Sequence, residues 1–63
     1  MPNVAITDFE LNFLRELISA EQLSAKKAQQ YAQSATNPQL KELLQQVATR
    51  SNQAVQQLAT FVQ

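Results

Sequence analysis

Not one of the 63 residues is glycine. Glycine enters positive φ without steric cost, and the tight turns of β-hairpins draw on it heavily. A chain without it is a poor candidate for a hairpin-rich β fold. Nine alanines and eleven glutamines, with leucine, lysine and glutamate, supply good helix formers throughout. The expected fold class is all-α.

Two start signals divide the chain. Thr7 followed three residues later by Glu10 reads as a capping box, in which each side chain accepts from the other's free backbone N–H. Ile6 and Leu11 stand where a hydrophobic staple would close over it. Asp8 and Glu10 place negative charge at the positive end of the helix dipole. Further on, Asn37-Pro38 reads as an N-cap followed by proline at the first helical position, where a missing N–H costs nothing. Proline also disfavours the α region for Asn37, so the first helix must stop before it. The expected architecture is one domain, residues 1–63: a short arm over 1–6 and helices over 8–35 and 38–62. With so short a link the helices pack as an antiparallel hairpin.

Periodicity assigns the faces. Leu14, Leu17, Ile18, Glu21, Ala25, Ala28, Ala32 and Ala35 follow the i, i+3, i+4, i+7 spacing of one helical stripe. Phe13, Ala20 and Tyr31 widen it on one side and Leu11 on the other. The second helix carries Leu40, Leu43, Leu44, Val47, Ala48, Ser51, Ala54, Val55, Leu58, Phe61 and Val62 on one face. Each stripe is wider than the roughly 100° arc that a single neighbour covers. The expected answer is self-association of two hairpins into a twofold-symmetric, homodimeric four-helix bundle. Phe13, Leu14, Leu17, Ile18, Leu44, Val47, Val55, Leu58 and Phe61 are its expected core and dimer-packing residues, with the alanines allowing close approach near the turn. Leu23 falls opposite the stripe and is expected on the surface.

Glu21, Ser24 and Ser51 break the apolar seam. A hairpin turning near residues 36–37 puts residues whose numbers sum to about 73 at one level, so Glu21 is expected in a buried polar layer with Ser51 and Arg50. Such a carboxylate needs a partner, because burying it alone is costly. The layer would fix register; a ligand or general-base role for Glu21 is the alternative.

Composition removes most chemistry. Without cysteine there is neither a disulfide nor a thiolate metal site, and without histidine the usual transition-metal ligand and neutral-pH acid/base are gone. Five basic residues balance five acidic ones, which argues against a dedicated nucleic-acid or anionic-membrane binder. Lys26-Lys27 is too short for a phosphate-tracking patch and reads as solvated surface, Tyr31 as packing at the stripe's edge. No serine stands in an activated-nucleophile arrangement. No apolar stretch approaches the length of a membrane span or signal peptide, so a soluble, cytoplasmic protein is expected. No catalytic, cofactor-binding or metal residue is assigned.

The helical text resembles the small spore coat protein F type family of spore-forming bacteria, a branch with a ferritin-like helical arrangement. The resemblance runs from about residue 9 to 62. It is carried by Leu17-Ile18-Ser19-Ala20-Glu21, Ala25-Lys26-Lys27, Tyr31-Ala32, Thr36 to Lys41, Leu43 to Gln46, and Ala48-Thr49-Arg50-Ser51-Asn52-Gln53-Ala54 with Leu58. The family's second helix typically reads A-x-x-H-x-x-H, and here those histidine positions hold Ser51 and Ala54. Glu21 alone remains as a counterpart of the ferritin-like ligand set, which needs carboxylates and histidines from four helices. The resemblance therefore implies the scaffold without the metal centre: a non-enzymatic structural protein associating with itself and other coat proteins in the spore coat. Two rivals stand beside it, a carboxylate-only metal-binding or redox protein and a small adaptor whose apolar stripe docks a helix of another protein.

Overall fold

The computed structural model describes residues 5–62, so most of the expected N-terminal arm lies outside the described residues. Two helices make up the fold, α1 over Asp8–Ser34 and α2 over Pro38–Ala59. They pack side by side as an antiparallel hairpin with principal extents of 46 × 18 × 12 Å.

Both start signals are built as the sequence specifies. The Glu10 amide donates to Thr7 Oγ1 at 3.1 Å, and the Thr7 amide donates to Glu10 Oε1 at 2.9 Å. These reciprocal bonds satisfy two of the donors that every helix start leaves free. At α2, Asn37 Oδ1 accepts from the Leu40 amide at 2.9 Å, and Asn37 is extended (φ −76°, ψ 121°), as the following proline requires.

Between the helices, Ala35 leaves the helical region at φ −71°, ψ 135° while its amide still donates to the Tyr31 carbonyl at 2.8 Å. Neither Ala35 nor Asn37 needs a positive φ, so the turn closes without glycine. Each helix is shorter at its C-terminus than the sequence pattern suggests. α1 stops at Ser34, not 35, and α2 stops at Ala59, not 62. Beyond Ala59 the amides of Thr60, Phe61 and Val62 bond to carbonyls three residues back, and Thr60 Oγ1 donates to the Gln57 carbonyl at 2.7 Å. Those i to i+3 bonds tighten the last turn around otherwise unpaired carbonyls. Apolar periodicity continues through Phe61 and Val62, which is why pattern alone overruns the end.

The interior of the hairpin is narrow. Ala25, Ala28 and Ala32 of α1 and Ala48 and Ser51 of α2 are its buried residues, and no large side chain among the described residues is fully buried. Small side chains let two helix backbones approach closely, and here they leave no room for leucine or phenylalanine between the axes.

Candidate functional site

The polar break in the seam and the apolar surface around it are the features of the hairpin that stand apart from its alanine core. Ser51 is buried and its Oγ donates to Ser24 Oγ at 3.3 Å, across the two helices. The expected layer of Glu21, Ser51 and Arg50 is built differently: within the hairpin, Glu21 is half-buried and Arg50 is exposed. Neither side chain is hydrogen-bonded to Ser51, and the two are not ion-paired to each other. The reason is register. Ser24 opposite Ser51 sets the level sum at 75, two more than a turn centred at 36–37 implies. Glu21 therefore slides toward the open end, level with Ala54. Ser24 already stood out in the sequence as a small polar residue on the stripe, and that was the signal for the true partner. All buried side-chain polar atoms among the described residues have a partner.

The expected packing residues separate into two groups. Leu14, Ile18, Leu44, Val47, Val55, Leu58 and Phe61 are half-buried along the hairpin. Phe13 and Leu17 are turned outward, 57 % and 40 % exposed. Phe9, Leu23, Tyr31, Leu40 and Leu43 are also exposed, and the Phe9 and Phe13 rings stack at 6.3 Å between centroids. Leu23 stands at the surface as the periodicity indicates, whereas Tyr31, expected to pack at the stripe's edge, is 58 % exposed. Leu40 and Leu43 were legible as stripe residues, but their exposure was not, because that depends on how closely α1 approaches.

The two flanks of the hairpin differ in chemistry. On one side Gln29, Gln33, Lys41, Gln45, Thr49 and Asn52 border an open groove floored by alanine. On the other side Ala20, Leu23, Ser24, Tyr31, Leu44 and Val47 border a predominantly apolar groove.

Titratable groups offer little chemistry. Glu10 is held below the ordinary glutamate range, first by the Thr7 backbone N–H and then by the Thr7 hydroxyl. That carboxylate is a structural cap. Among the described residues no three acidic side chains come together as a metal site. No helix among the described residues is long and apolar enough to cross a membrane.

No family model matches this chain, and no curated protein or solved structure matches it either.

Proposed function

We propose that the chain is a non-enzymatic structural protein that works as a homodimeric four-helix bundle of ferritin-like arrangement, similar in role to the small spore coat proteins its sequence resembles. One observation carries the reading. The hairpin buries four alanines and a serine, while seven large apolar side chains stay exposed. A two-helix unit with so little buried volume lacks the core a chain of this size needs, and a partner of matching shape is the usual remedy.

Area supports the same reading. A compact monomer of this mass exposes about 4,100 Å². The hairpin exposes 5001 Å². The elongated 46 × 18 × 12 Å shape accounts for part of that excess, which points the same way as the thin core.

The test of assembly is native mass spectrometry of the purified protein with sedimentation at several concentrations. A metal-free dimer is the expected species. A monomer moves the reading to an adaptor for another protein's helix, and metal retained stoichiometrically after chelation but lost in Glu21→Ala moves it to a carboxylate site. The coat role is tested separately, by following a fluorescent fusion through sporulation in a spore-forming host. Signal gathered at the forespore periphery is expected; a diffuse signal throughout sporulation overturns it.

A further inference from the structure

We draw no further inference here: the strongest candidate, the predominantly apolar groove that Leu23, Tyr31, Leu44 and Val47 border on one flank of the hairpin, is an unpartnered face, and nothing in the structure shows what covers it.

Discussion

Ser51 Oγ on α2 donates to Ser24 Oγ on α1, two residues 27 positions apart in the chain whose hydroxyls meet at 3.3 Å. The contact fixes the level of one helix against the other in a seam otherwise made of alanine. Ser51 is 6 % exposed and Ser24 is half-buried, so the hydrogen bond is only partly shielded from water. A single hydrogen bond of this kind contributes about 1 kcal/mol net. Its larger consequence is steric: a serine pair keeps the helices at the spacing the alanines set.

Ser51→Leu is accordingly expected to destabilise the fold by about 1–3 kcal/mol through overpacking. Ser24→Ala is expected to cost about 1 kcal/mol or less, because it removes a bond and little volume. Urea unfolding followed by circular dichroism measures both, and equal losses for the two variants would contradict the steric account.

Ala28→Leu tests the close approach directly. Ala28 is 4 % exposed against α2, and three extra heavy atoms have no space there. Forced insertion into a packed seam costs about 1–3 kcal/mol. An unchanged midpoint in the same urea titration would mean that the helices stand farther apart than the alanine core implies.

The N-cap of α2 is a separate test, since it lies at the turn and away from both flanks. Asn37→Ala removes the acceptor for the Leu40 amide, and a lost cap of this type costs about 1 kcal/mol. Asn37→Asp keeps an acceptor and is expected to restore most of the stability. A loss as large in the aspartate variant would assign the effect to something other than capping.

Acid should loosen the start of α1. Glu10 titrates below its ordinary range in the folded chain because the Thr7 backbone N–H and hydroxyl bond its charged form. A carboxylate with a depressed folded pKa stabilises above its unfolded value, near 4.3, and loses that contribution as pH falls through the lower folded value. Amide exchange and chemical shifts at residues 8–11 are expected to change over that acidic window in the wild-type chain. Glu10→Gln should flatten the response. An identical acid response in this variant would show that another group controls the end.

Mass action gives the last prediction. If the second copy completes the core, the folded state is a dimer and its melting temperature depends on concentration. For two chains of this length unfolding with about 0.7 kcal/mol of enthalpy per residue, a tenfold rise in concentration lifts the midpoint by about 6 °C. A midpoint independent of concentration over two decades would place the folded unit at the single hairpin. In the dimer, Leu17→Ala is expected to cost about 2 kcal/mol or more, a loss measured against concentration as well as temperature.

The local architecture was legible because its causes are local. Capping boxes, an Asn-Pro step and the absence of glycine act within a few residues of themselves, so Thr7–Glu10 and Asn37–Pro38 mark helix starts whatever the chain does elsewhere. The apolar stripes also follow from spacing alone. Three features did not. The end of α2 depends on how its last carbonyls are satisfied once periodicity has ceased to matter. The partner of Ser51 depends on register, and a shift of two in the level sum exchanges Glu21 for Ser24. Which stripe residues stay exposed depends on the distance between two helix axes, a quantity set jointly by alanines far apart in sequence. The sequence by itself therefore determined two helices, their starts and their apolar sides. Only the tertiary structure decided that the alanine seam closes the hairpin and leaves Phe13, Leu17, Tyr31 and Leu43 facing outward, because side chains that cannot fit between close backbones must go to the flank.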